Sequence, residues 1–196
     1  MIFTEKPRCV WPGSDALYRQ YHDTEWGVPL HDDQRLFEFL ILEGAQAGLS
    51  WITILRKREN YRAAFDNFDV SRIAAYDTDK IAALMNNSGI VRNRLKLQSA
   101  VANAQKYLLM QNEFGSFDNF IWRFTDGKPV QNAWRSGDEV PASSEVSDAM
   151  SRELKRRGFK FVGTTICYAL MQATGMVNDH TMDCFRHEEL HTRLLK

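Results

Sequence analysis

Cysteine is scarce in this chain: three thiols, Cys9, Cys167 and Cys184, among 196 residues. An odd number of thiols with no export signal argues against a disulfide framework and directs attention to metal binding or burial. Net charge is missing as well, with Lys and Arg matching Asp and Glu at 25 each. That balance excludes a chain basic throughout, but leaves a local basic face and a nucleic-acid partner open. No apolar run reaches bilayer length, because Phe39 to Leu55 is broken by Glu43, Gly44 and Gln46. The opening "MIFTEKPRCV" has neither the basic flank nor the apolar core of a signal peptide, so a soluble cytoplasmic protein without membrane contact is expected. Strand alternation, internal repeats and low-complexity tracts are also lacking, and the expected class is all-α. With 44% hydrophobic residues the chain can bury one sizeable core. We expect a single domain over residues 1–196, either compact or as two lobes sharing a cleft.

Helix signals fill most of what is there. Ser14 is placed to cap a helix through "DALYRQYHD", Asp32 or Asp33 one through "QRLFEFLILEGAQA", and Thr78 one through "DKIAALMNN". The longest segment is "RNRLKLQSAVANAQKYLLMQNEF", where Leu95, Val101, Ala104, Leu108 and Leu109 recur at helical spacing, and Ser116 then opens "FDNFIWRF". Residues 125–144 hold two prolines with glycines and polar residues and read as a long loop crossing between lobes. Helix resumes at Ser147 in "SDAMSRELKRRG", ending at Gly158, and again in "GTTICYALMQATG", ending at Gly175.

The join "LKRRGFKFVGTT" is a helix, a turn carrying Gly158 and Gly163, then a helix starting near Thr164. Amides at the start of the second helix form an anion site that Lys155, Arg156, Arg157 and Lys160 would reinforce, as one DNA phosphate backbone requires. An ordinary αα-hairpin with a solvated basic rim fits this stretch equally well.

His180 and Cys184 in "DHTMDC" are four residues apart, so a helical turn would set both on one face, as zinc ligands require. A pair is not a site. Cys9, His22, His31, His187 and His191 are further candidates, whereas Cys167, inside the apolar "TTICYALMQA", reads as a buried thiol.

Tyr18, Tyr21 and His22 fall at i, i+3 and i+4, and Trp11, Trp26 and Trp51 lie in the same part of the chain as Glu43. Aromatics at helical spacing are ordinarily core. A carboxylate among them changes the balance, because ring faces around one buried acceptor can hold a flat cationic heterocycle.

The segments "RCVW", "LYRQYHDTEWGVP", "LEGAQAGLSWITILRKRENYRAAF" and "LKRRGFKFVGTTICYALMQATGMVNDH", with the Cys9, His22, His180 and Cys184 set, resemble the 3-methyladenine DNA glycosylase I family over nearly the full chain. That resemblance implies a helix-hairpin-helix glycosylase fold, with two helical lobes around a base-binding cleft and one structural zinc tying the chain ends. By matching position, Cys9, His22, His180 and Cys184 would hold the zinc, and four protein ligands would make the site closed and structural. Tyr18, Tyr21, Glu43 and Trp51 would line the base pocket, with Trp11 and Trp26 as supporting walls. Gln46 and Leu49 would face DNA where the base leaves the stack, Leu49 as an apolar plug, and the hairpin residues Arg157, Gly158, Lys160, Gly163 and Thr164 would meet the backbone.

The activity implied is removal of 3-methyladenine from double-stranded DNA by a monomer that flips the nucleotide out and releases the free base. The N3-methylated base is cationic while attached and leaves neutral, so the chemistry needs selection and charge stabilisation more than acid catalysis. Glu43, kept ionised by that positive charge, would read the base's amino group and serve as the catalytic carboxylate; helix capping is its structural alternative. No lysine near Asp179 suits Schiff-base chemistry, so no strand cleavage is expected, and Asp179 itself receives no role. Two rivals remain: a zinc-dependent hydrolase with Glu43 as general base, and a zinc-stapled DNA-binding module without catalysis.

Overall fold

A computed structural model describes residues 6–193. Among them the α-helices are α1 (Ala16–Thr24), α2 (Asp33–Gln46), α3 (Trp51–Ala64), α4 (Val70–Ala74), α5 (Thr78–Asn86), α6 (Arg94–Phe114), α7 (Phe117–Trp122), α8 (Glu145–Arg156), α9 (Thr164–Ala173) and α10 (Phe185–Arg193). The class is all-α. Its one extended pairing is a two-residue parallel bridge, β1 (Val130–Gln131) against β2 (Val177–Asn178), which anchors the loop after α7. No helix among the described residues is long and apolar enough to cross a membrane.

Helix α2 lies at the centre. Residues Leu36 to Ala45 are buried without interruption, the pattern of a helix covered on every side. It packs against α3, α6, α7 and α9, so a side chain on α2 meets side chains from distant parts of the sequence. Asp32 caps it, accepting from the Arg35 amide at 2.8 Å.

Several boundaries differ from the sequence reading. Asp15, not Ser14, caps α1, and Asp77, not Thr78, caps α5; in each case the carboxylate accepts from the amide three residues on. Helix α8 begins at Glu145, earlier than Ser147, because Ser144 and Ser147 form a reciprocal capping pair. In α6 the buried face is Leu97, Ala100, Asn103, Ala104, Tyr107 and Met110, while Leu95 is 68% and Leu109 53% exposed. Leu95 precedes Leu97 by two residues, about 200° around the helix, and therefore points the other way.

Helices α8 and α9 form the hairpin. Gly158 (φ +91°) ends α8, with Phe159 N–H donating to Leu154 O and Gly158 N–H to Lys155 O. Gly175 (φ +70°) ends α9 in the same way, and there a glycine is obligatory twice over: a Cβ would sit 2.3 Å from the Val28 carbonyl carbon.

Candidate functional site

A cavity of about 580 Å³ opens where α1, α2, α3 and α9 converge. Tyr18 and Tyr21 reach it from α1, Glu43 and Gln46 from α2, and Trp51 from the first turn of α3; Trp11 and Trp26 complete this wall. The rings meet mainly edge-on or tilted: Trp11 to Tyr18 at 4.7 Å, Trp11 to Trp26 at 5.1 Å, and Tyr21 to Trp51 at 5.5 Å between centroids. Such contacts brace the walls and leave ring faces for a planar guest. Among the described residues the buried Trp51 Nε1 has no acceptor.

Glu43 is 4% exposed and makes no hydrogen bond or ion pair with the described residues. Burial alone pushes its carboxyl up to about 8, so in the free protein this group is largely neutral near pH 7. The sequence reading has it ionised by the charge of a bound base, and the free protein supplies no such charge among the described residues. Burial, then Glu43, raises the Tyr21 and Tyr18 hydroxyls. Among the described residues no lysine or arginine lines the cavity.

The opposite wall was not legible in the sequence. It comprises Gly137, Asp138, Val140 and Pro141 of the loop before α8, Ala169 and Gln172 of α9, and Asp179. Asp179 is 2% exposed and takes four donors: Asn132 Nδ2 (2.6 Å) and Trp134 Nε1 (2.8 Å) on Oδ1, and Tyr168 Oη (2.8 Å) and Gln172 Nε2 (2.8 Å) on Oδ2. It thereby ties the 125–144 loop to α9 at the cavity edge.

Two loops stand beside the mouth. After α2, Ala47 and Gly48 (φ +81°) turn the chain so that Gln46 lines the cavity and Leu49 is 43% exposed. In the hairpin, Lys160 is exposed, and a Cβ at Gly163 would meet nothing within 4 Å, so no internal packing demands glycine there. Gly163 gives α9 no side-chain cap, which leaves its first amides to other partners. Thr164 is different: its hydroxyl donates to Asp148 and meets Ser147 inside the hairpin. Arg157 also turns inward, paired with Glu113 (2.6 Å) and Glu153 (2.6 Å) over Phe114, so its charge is not displayed to a partner as the sequence reading expected. Arg156 pairs with Glu153 (2.7 Å).

The thiols and imidazoles converge. Ligand atoms of Cys9, His22, His180 and Cys184, all buried, lie within 4.8 Å of one another and could hold a metal ion. Cys184 Sγ is 3.5 Å from His22 Nε2 and 3.5 Å from His180 Nδ1, and Cys9 Sγ is 3.6 Å from His180 Nδ1. Tetrahedral bonds of about 2.3 Å to sulfur and about 2.0–2.1 Å to nitrogen separate the two donors by about 3.6 Å, so the spacing fits. The outer nitrogens are engaged: His22 Nδ1 with Asp23 at 2.7 Å, and His180 Nε2 with Trp26 O at 3.1 Å. A carbonyl only accepts, so His180 Nε2 carries the proton and Nδ1 faces the sulfurs. Hydrogen bonding from Cys9, then from the imidazoles, holds the Cys184 thiol far below its usual range, while Cys184 and burial push Cys9 up. His180 and Cys184 sit in a turn, not on a helix as their spacing suggested. His31 instead pairs with Asp118, His187 meets Asn132 O, and His191 is exposed on α10. Cys167 is buried, as read.

A sequence model described as methyladenine glycosylase matches residues 11–187. Over 177 residues the chain is 50% identical to DNA-3-methyladenine glycosylase 1 of Escherichia coli (strain K12), covering 90% of this chain and 95% of that protein. A crystal structure of 3-methyladenine DNA glycosylase I superposes with a TM-score of 0.89 at 53% identity, covering 91% of this chain and 98% of the other. A single-residue variant of a 3-methyladenine DNA glycosylase I, solved in complex with 3-methyladenine, superposes with a TM-score of 0.88 at 36% identity, over 91% and 96%.

Proposed function

The chain belongs to the methyladenine glycosylase family, and on that premise we propose that it excises 3-methyladenine from alkylated double-stranded DNA, opening base-excision repair. One observation carries the reading: Glu43, a buried carboxyl set among tyrosine and tryptophan rings in a cavity where the described residues supply no lysine, arginine or other counter-charge. A neutral base can meet that group only through an ordinary hydrogen bond and supplies no charge to ionise it. A cationic base, flat enough to pass between the rings, draws the proton off Glu43 and supplies the missing charge.

The nucleotide is extruded from the duplex and its base enters the cavity. Glu43 accepts from the exocyclic amino group; Tyr18, Tyr21 and Trp51 bound the ring, and Trp11 and Trp26 back them. The bond from C1′ to the base breaks, water adds to C1′, and the methylated base departs neutral, its positive charge passing to the sugar in the transition state. The ionised Glu43, near that charge, stabilises it. Among the described residues no lysine lines the cavity to form an imine with the sugar, which supports release of the base with the strand left uncut. Leu49 fills the gap left in the stack, Gln46 lies beside it, and Gly158, Lys160, Gly163 and the Thr164 amide hold a phosphate.

The ion suited to Cys9, His22, His180 and Cys184 is zinc. Four protein ligands, all buried, leave no open coordination position for water, so its contribution is to the fold, not the hydrolysis.

The test is incubation of the purified protein with methylated duplex DNA and chromatography of the released bases. Free 3-methyladenine appearing faster than spontaneous loss, with strands intact, supports the reading; release at the spontaneous rate overturns it.

A further inference from the structure

Helix α6 touches both loops beside the cavity mouth through one face. Lys96 Nζ donates to Ala45 O (2.8 Å) and Ala47 O (2.6 Å), the last carbonyls of α2 before the Gly48–Leu49 turn. A cation there also meets the negative end of the α2 dipole. Asn103 follows seven residues later, two turns along and nearly on the same face. Its Nδ2 donates to Lys160 O (3.0 Å) and its Oδ1 accepts from Lys160 N (2.8 Å), so both backbone groups of one hairpin residue are gripped by one amide. Asn103 is 3% exposed, which removes it from direct contact with any partner.

Two further details indicate that this grip has a purpose. Phe161, next to Lys160, is held at φ +54°, a conformation that side chains other than glycine avoid unless neighbours impose it. Gly44 of α2 packs so closely on the hairpin that a Cβ there would lie 3.3 Å from Phe161 Cβ. The two loops are thus set against each other as well as against α6. Lys96 also sits where desolvation lowers its basicity.

We infer that Lys96 and Asn103 are positioning residues, fixing the turn that carries Gln46 and Leu49 at a set distance from the hairpin, so that base extrusion and phosphate grip act in register. This rests on the proposed DNA-facing roles of those two loops. Neither residue touches the base, so loss of either should misplace the loops while leaving the pocket whole.

The experiment compares Lys96→Met, Lys96→Arg, Asn103→Leu and the Lys96→Met/Asn103→Leu double variant with wild type. It uses single-turnover excision from methylated duplex, titration of free 3-methyladenine, the salt dependence of duplex binding, and a melt of each protein. We expect Lys96→Met and Asn103→Leu each to slow excision on the order of 10–100-fold, the scale of a displacement of about 1 Å. Free-base affinity and the salt slope should stay at wild-type values. Lys96→Arg, which can still donate to both carbonyls, should recover most of the rate. The double variant should fall short of the product of the singles, as for parts of one brace. Wild-type excision in both singles overturns the inference. So does a salt slope lowered by about one in Lys96→Met, which would make Lys96 a phosphate contact, or a parallel loss of free-base affinity. Leu49→Ala separates the premise: if it excises normally, the DNA-facing reading of the turn fails; if it is slow while both brace variants are normal, only the brace fails.

Discussion

Glu38 and Glu43 lie five residues apart on α2 and are equally buried, at 5% and 4% exposure, yet only Glu38 has a cation. Arg58 meets it at 2.5 Å and Arg62 at 2.9 Å, both from α3. A buried acid with its counter-charge built in completes a scaffold. A buried acid without one raises the energy of the free protein until a cation arrives.

That difference predicts a pH-dependent gain in stability. Folding raises the Glu43 carboxyl from 4.5 to about 8. The folded state therefore binds this proton more tightly than the unfolded state; the stability it contributes is complete below about 4.5 and is lost as pH rises towards about 8. Glu43→Gln removes the titration. Its melting temperature relative to wild type should climb between pH 5 and pH 8, by the equivalent of up to about 1.4 kcal/mol per unit. The same variant should bind free 3-methyladenine more weakly, by about 1–3 kcal/mol. A constant melting offset across that range, with equal base affinity, would contradict both expectations.

Removing the ion, or one of its ligands, should act on the fold first. Purified protein should carry one equivalent of zinc, and Cys184→Ala should lower the melting temperature far more than it changes the affinity of the surviving folded protein for 3-methyladenine. Calorimetry beside elemental analysis checks this; a metal-free protein of unchanged stability would sink the assignment.

The two hairpin cations should separate by salt. Lys160→Ala should flatten the salt dependence of duplex binding by about one phosphate contact, a slope change of about 0.9. Arg157→Met should leave the slope alone and lower the melting temperature, since Glu113 loses its partner and Glu153 keeps Arg156 but loses Arg157. Equal slope changes for the two would mean that Arg157 swings out to DNA.

Asp179→Asn replaces an acceptor of four donors with a group that must present its amide to one oxygen's pair of donors. Trp134 Nε1, a donor only, keeps the remaining oxygen on its own side, so the amide faces Tyr168 and Gln172, which must both turn to accept and give up their present bonds. A loss of about 1–3 kcal/mol is expected, together with slower excision as the 125–144 loop loosens at the cavity edge. Chemical denaturation and single-turnover assays together test it; a variant as stable and as fast as wild type would remove Asp179 from the architecture of the site.

Much of this was readable where local chemistry speaks. Glu43 stood out as an acid inside an apolar run, and the glycines at 158 and 175 marked helix ends where the backbone does turn left-handed. Glu38, just ahead of that run, drew no notice, because its partners come from α3 and only folding delivers them. The candidate metal quartet shows the limit sharply: Cys9 and His180 are 171 residues apart in sequence, a distance over which spacing carries no information, and even the nearer pair meets through a turn, not a helix. Asp179 was noticed but given no role, and Asn103 and the 137–141 wall went unseen, for a related reason. Each is an ordinary polar or loop residue until another element is placed against it.

The separation of Cys9 from His180 also bears on synthesis. A chain leaving the ribosome presents Cys9 and His22 early, as an open pair, and helices α2 to α9 must all follow before His180 and Cys184 exist to close it. No fragment that stops short of His180 can complete the quartet. Metal held by all four residues is therefore a mark of a chain made at least as far as Cys184, carried only by molecules in which every wall of the cavity has already been made.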